Sequence, residues 1–187
     1  MPLHQLVAHA DRVYAIWRIA ETELEMTGIL SHPEQIPLAV THPQKRLEFL
    51  ASRLLTQKLV TDIGDKYQGL IKDSFGKPFL RDSTWHVSQS HSYPYVAVIL
   101  DKEKSTGIDI EQRKENLLRV ASRVFSEQER NNAGSDLTHL AVLWCAKEAL
   151  IKVYGKKDLT LKEEIKIEPF VLEEEGVEKG SIIKNNT

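Results

Sequence analysis

A fold that mixes helices and strands is predicted by three features of the sequence. Residues 12–20 (RVYAIWRIA) are rich in β-branched and aromatic residues and read as a strand. Residues 95–100 (YVAVIL) form a nearly continuous apolar run, the pattern of a strand covered on both faces. Residues 137–154 carry the strongest helical pattern in the chain, and Gly155 stops it.

The remaining elements follow in order. Residues 21–30 look helical, and Pro33, Pro37 and Pro43 punctuate the next stretch as loop. Between 44 and 60, Leu47, Leu50, Leu54, Leu55 and Leu59 recur at three-to-four spacing, which predicts an amphipathic helix. Lys45, Arg46, Arg53 and Lys58 fall on or beside its polar side, so the helix is basic at the end where its dipole attracts anions. Gly76-Lys77-Pro78 is a turn leading into Phe79 and Leu80, and residues 85–90 should be extended. After a polar turn at 102–105, residues 106–111 (TGIDIE) alternate as a second strand, with Ile108 and Ile110 on one face and Asp109 and Glu111 on the other. Residues 116–125 are helical in pattern, and Ser126 is an N-cap with Glu129 three residues on. Residues 159–170 can hold one or two short strands, and the charged, then polar tail at 173–187 is expected to fray.

Bulk composition bounds the function. A chain of 187 residues with 41% hydrophobic and 28% charged side chains folds on its own as one or two small domains. The 25 basic and 27 acidic residues leave a net charge of −2, so no whole-molecule field favours nucleic acid or an anionic membrane. Any anion must be held by a local pocket. Apolar runs fall far short of the roughly 20 residues that cross a bilayer, and the N-terminus lacks a signal-peptide pattern. A cytoplasmic location is the resulting expectation. Cys145 is alone, which excludes an internal disulfide and a thiolate metal cluster.

Chemistry concentrates at two places. Asp109 and Glu111, two residues apart on a strand, leave the same face roughly 7 Å apart. Trp144, Glu148 and Lys152 share one stripe of the 137–154 helix, an aromatic wall, an acid and a base. Three carboxylates suit magnesium, which favours oxygen ligands and accepts phosphate oxygens from a substrate. Phosphoryl transfer also needs cations for the phosphates, for which Lys77, His91 and Lys152 are candidates, and a base, for which Glu148 is one. Taken alone, paired acids on a strand face are more often a solvated edge, and Glu148 with Lys152 fit a surface ion pair.

In order along the chain stand Ser90-His91-Ser92, then Thr106-Gly107-Ile108-Asp109-Ile110-Glu111, then Arg123-Val124-Phe125-Ser126 with Glu129, then Trp144-Cys145-Ala146-Lys147-Glu148-Ala149-Leu150-Ile151-Lys152. This series resembles the ordered signatures of the 4'-phosphopantetheinyl transferase superfamily. With Gly76-Lys77-Pro78 upstream it resembles the broad-specificity, surfactin-synthetase-activating type. The resemblance spans residues 76–155 and is weaker at 45–53. It implies an α+β fold of two pseudo-symmetric halves, 1–101 and 102–187, with coenzyme A bound between them, in a monomer that is an internal pseudo-dimer.

The same resemblance implies an activity. Phosphopantetheine would pass from coenzyme A to a serine of an acyl or peptidyl carrier protein, with release of 3',5'-ADP. Asp109, Glu111 and Glu148 would hold Mg2+, with Glu148 or a neighbouring water taking the serine proton and Lys152 stabilising the phosphate or the departing nucleotide. Ser90, His91 and Lys77 would line the nucleotide side, and Arg46 would meet the 3'-phosphate. Ser88 stands where the family commonly has asparagine, and Gln89 where an apolar residue is usual.

Other features admit more than one reading. Trp144 fits a core aromatic as well as a substrate contact. Cys145 reads as a small buried hydrophobe, and His4, His9, His32, His42, His86 and His139 as surface or turn residues, having no metal-ligand spacing. Lys156 and Lys157 fit a helix C-terminus or an acidic carrier-protein helix. The rival functions are a non-catalytic homologue that binds coenzyme A or a carrier protein, an unrelated magnesium phosphohydrolase, and a structural interaction domain.

Overall fold

The computed structural model describes residues 3–31 and 34–184. His32 and Pro33 lie outside the described residues, as does the end of the 173–187 tail beyond residue 184. The chain divides into two compact units, Met1–Ile110 and Glu111–Thr187. Helices and antiparallel strands contribute to both.

In the first unit β1 (Leu3–Ala8), β2 (Arg12–Arg18), α1 (Glu23–Ile29), α2 (Pro43–Asp62), β3 (Leu70–Lys72), β4 (Pro78–Leu80), β5 (His86–Ser92) and β6 (Tyr95–Asp101) follow one another. The main sheet runs β1-β2-β6-β5 and is antiparallel throughout. β6 is its centre. Its residues from Val96 onward are buried on both faces, which is why the sequence reads as an unbroken apolar run. Register sorts the side chains into rows. Trp17, Val96 and His91 stand opposite one another, as do Ala15, Val98 and Gln89, and Val13, Leu100 and Val87. This face packs with Leu50, Leu54, Leu55 and Leu59 of α2 in the first core. Arg12 and Asp101, opposite each other in register, form an ion pair at 2.8 Å.

Helix α2 begins at Pro43, which occupies the first turn, where its missing N–H is no loss. The expectation of a loop there is corrected accordingly. Arg53 also departs from its expected polar side. It is 6% exposed, bonded to Glu34 and Gln89, with its guanidinium 4.4 Å above the Phe49 ring. Glu34 further accepts the hydroxyl of Tyr67, and Gln89 donates to Thr56 Oγ1 at 2.6 Å. A buried charge persists because polar partners surround it.

Residues 106–111 are not a strand. They run without a sheet partner among the described residues, pinned instead by side chains of β5. β5 is the edge strand of its sheet, and it meets this segment through the Ser88 and Ser90 side chains rather than through a backbone ladder.

The second unit contains α3 (Asn116–Val124), α4 (Glu127–Ala133), α5 (Leu137–Tyr154), β7 (Ile165–Ile167) and β8 (Gly180–Ile182). Ser126 and Glu129 form the reciprocal capping box that opens α4. Asp136 caps α5, accepting N–H bonds from Thr138 and His139, and Gly155 ends it at φ +80°, a left-handed conformation that favours glycine. Phe125, Leu140, Leu143 and Ile167 make the second core, with Trp144 packed half-buried against it. The tail is not wholly frayed, because β8 pairs antiparallel with β7. His139 is not at the surface either. It is 7% exposed, its ring 4.4 Å from that of Phe170. Cys145 is half-buried rather than sealed. Among the described residues no helix is long and apolar enough to cross a membrane.

Candidate functional site

In the first unit the site residues are organised by β5, whose pleat sends alternate side chains to opposite faces. Ser88 and Ser90 point to one face and take hold of the 105–110 segment. Ser88 Oγ accepts the backbone N–H of Ile108 at 3.1 Å, and Ser90 Oγ donates to Asp109 Oδ1 at 2.7 Å. A third tether comes from the β3–β4 hairpin, where Lys77 Nζ donates to Ser105 Oγ at 2.7 Å. The hairpin is itself shaped by Asp73, whose carboxylate accepts the backbone N–H groups of Phe75 and Lys77. Partial burial lowers the Lys77 ammonium below its usual pKa, against the opposing pull of Asp73. Ser90, Lys77 and Asp109 are thus joined through one short stretch of chain.

Gln89 and His91 leave the other face of β5, toward α2. Gln89 reaches Ser52 and Thr56, and His91 Nδ1 lies 3.2 Å from Glu48 Oε2. Arg46 turns elsewhere. Its guanidinium makes a two-pronged pair with Glu23 of α1, Nε to Oε2 at 2.8 Å and Nη2 to Oε1, and it also contacts the carbonyl of Val40. The pair raises the Arg46 pKa and lowers that of Glu23. Lys45, one residue earlier, is the cation that meets Glu48, at 2.6 Å.

In the second unit Glu111 accepts Lys114 Nζ at 2.6 Å and its neighbour's N–H, from Gln112, at 3.2 Å. Trp144, Glu148 and Lys152 are all half-buried along α5. The buried stripe beside them runs through Leu140, Leu143 and Lys147. Lys147 is fully enclosed. Its ammonium donates to Glu129 Oε2 at 2.8 Å and to the carbonyls of Leu161 and Ile165 at 2.7 and 2.8 Å. Burial lowers its pKa, with Glu129 opposing.

Carboxylate oxygens are the ligand type that a hard divalent cation takes. Asp109, Glu111 and Glu148 offer carboxylate oxygens, and none of the three is sealed in an apolar core. Within either unit, among the described residues, no three His, Cys, Asp or Glu side chains gather into a metal-binding group.

Sequence reasoning missed Glu48 and the burial of Lys147, and it named Lys45 and Ser88 without the partners they meet. A signal existed for Glu48, which shares a three-and-four stripe with Ala51 and Leu55, on the face of α2 that packs in the core. A charged residue on a core stripe calls for partners. No curated protein matches the chain. Over residues 105–177, less than half of its length, the chain matches the family model of the 4'-phosphopantetheinyl transferase superfamily.

Proposed function

We propose that the protein is a holo-carrier-protein synthase, moving 4'-phosphopantetheine from coenzyme A to a serine of an apo acyl or peptidyl carrier protein. The observation that carries this reading is the family match, whose span includes Asp109, Glu111, Glu148 and Lys152 together. The order of motifs from Gly76-Lys77-Pro78 onward supports the broad-specificity type.

In this reading Asp109, Glu111 and Glu148 hold Mg2+, which when bound neutralises charge on the pyrophosphate of coenzyme A. Ser90 keeps the Asp109 carboxylate oriented through its hydroxyl. His91 and Lys77 serve the nucleotide end, and Lys152 balances negative charge on the transferred phosphate or the departing nucleotide. Arg46 serves the 3'-phosphate only by exchanging its Glu23 partner for the ligand. The carrier serine oxygen forms a bond to the β-phosphorus as the bond to the bridging pyrophosphate oxygen breaks. Its proton passes to Glu148, directly or through a water, and 3',5'-ADP carries away the released oxygen. Conversion of an apo carrier protein to its holo form with coenzyme A tests the proposal, and a carrier that stays apo contradicts it.

A further inference from the structure

Glu48 is a carboxylate only 2% exposed, on a helix whose buried residues include Leu50, Leu54, Leu55 and Leu59 and one other charge, Arg53. A buried carboxylate is tolerated where polar partners surround it, and this one has three. Oε1 accepts the backbone N–H of Tyr93 in the turn between β5 and β6, at 3.1 Å. Oε2 takes both Lys45 Nζ at 2.6 Å and His91 Nδ1 at 3.2 Å. The two oxygens have different tasks. The first fixes backbone, which an amide could do equally well. The second gathers two side chains that are themselves open to solvent, Lys45 being 56% and His91 44% exposed. Anchoring the turn does not require that second arrangement.

We propose that Glu48 is a positioning residue for His91. By accepting the Nδ1–H, its carboxylate fixes the tautomer and the plane of the ring, so that Nε2 is the nitrogen that meets a ligand. Lys45, on the same oxygen, is held beside that ring. The row of residues across the sheet adds rigidity, since His91 stands opposite Val96, which is fully buried in the core. This inference rests on the reading of His91 as a coenzyme A contact, and it adds the residue that makes such a contact pre-organised.

The test compares Glu48→Gln, His91→Ala and the double variant, together with the ring nitrogens of the wild-type protein. Glu48→Gln keeps an acceptor for Tyr93 and loses the charge-assisted hold on His91. The expected result is a KM for coenzyme A, and a calorimetric Kd, raised about tenfold with kcat little changed. The double variant should be no worse than His91→Ala alone, because both changes act through one ring. A merely structural role would instead lower the melting temperature, in the wild-type and the His91→Ala background alike, and leave KM unchanged in both, and that pattern would overturn the proposal. Long-range nitrogen-proton NMR of the wild-type histidines provides a readout that needs neither the variant nor catalysis. With the ring neutral, the His91 proton is expected on Nδ1, and finding it on Nε2 would refute the proposal. Failure of the wild type to bind coenzyme A would remove the functional reading, while the NMR result would still decide whether Glu48 orients the ring.

Discussion

Lys147 donates to Glu129 at 2.8 Å with neither side chain meaningfully exposed, one on α5 and the other in the capping box of α4. The pair does more than satisfy two charges. Glu129 also accepts the N–H groups of Ser126 and Ile167, and Lys147 reaches the carbonyls of Leu161 and Ile165, so α4, α5 and β7 converge on one ion pair. Since Lys147 precedes Glu148, the pair also fixes the rotation of the helix that carries Glu148 and Lys152.

Removing one member leaves the other buried and uncompensated. Lys147→Met should therefore destabilise the second unit by about 3–5 kcal/mol, as is usual when one partner of a buried pair is lost. Urea unfolding measures this, and a loss within experimental error would mean that the pair has little structural weight.

Acid should weaken the same junction. Burial tends to raise the Glu129 carboxyl, but Lys147 and the backbone N–H groups of Ile167 and Ser126 outweigh it and hold the pKa below its ordinary 4.5. Between the folded and unfolded values the unfolded chain binds the extra proton. The contribution is thus fully present above about 4.5 and lost as pH falls through the lower folded value. Glu129→Gln should be clearly less stable than wild type at neutral pH, with the gap narrowing below pH 4.5. A gap independent of pH would contradict the assignment.

Ser90 provides a probe of the proposed metal site away from the carboxylates themselves. Its hydroxyl bonds Asp109 at 2.7 Å. Loss of such an outer partner commonly lowers metal affinity by about 10–100-fold. Ser90→Ala should raise the magnesium concentration needed for half-maximal transfer about tenfold, while saturating magnesium restores most of the rate. An unaltered magnesium requirement would detach Ser90 from the site.

Lys152 is assigned to charge that develops during transfer. Lys152→Ala should reduce kcat about a hundredfold with a smaller change in the KM for coenzyme A. A raised KM with kcat intact would move Lys152 to ground-state binding.

The strong elements were legible because their signals are local. Ser126 and Glu129 mark the start of α4, Gly155 ends α5, and the apolar run of β6 reports an inner strand. What escaped were features made by distant partners. The 106–111 segment has a strand's alternation but is held by Ser88 and Ser90 rather than by a ladder. Arg53 was expected on a polar face, and Glu48 and Lys147 drew no structural reading; each is buried against partners that local pattern does not reveal, among them Glu34, His91 and Glu129 respectively. β1 and β8 escaped because their residues are largely exposed and so lack an apolar stripe. The motif residues were singled out by their order and spacing, whereas Glu48 was recoverable only as a charge on a core stripe.

The central claim is phosphopantetheine transfer. Its most direct measurement combines the purified protein with coenzyme A, magnesium and an apo acyl carrier protein, and reads the intact mass of the carrier. The predicted result is a gain of one phosphopantetheine, abolished by EDTA and by Glu148→Ala with the fold intact. A carrier of unchanged mass across several acyl and peptidyl carrier proteins, with coenzyme A bound, would contradict it.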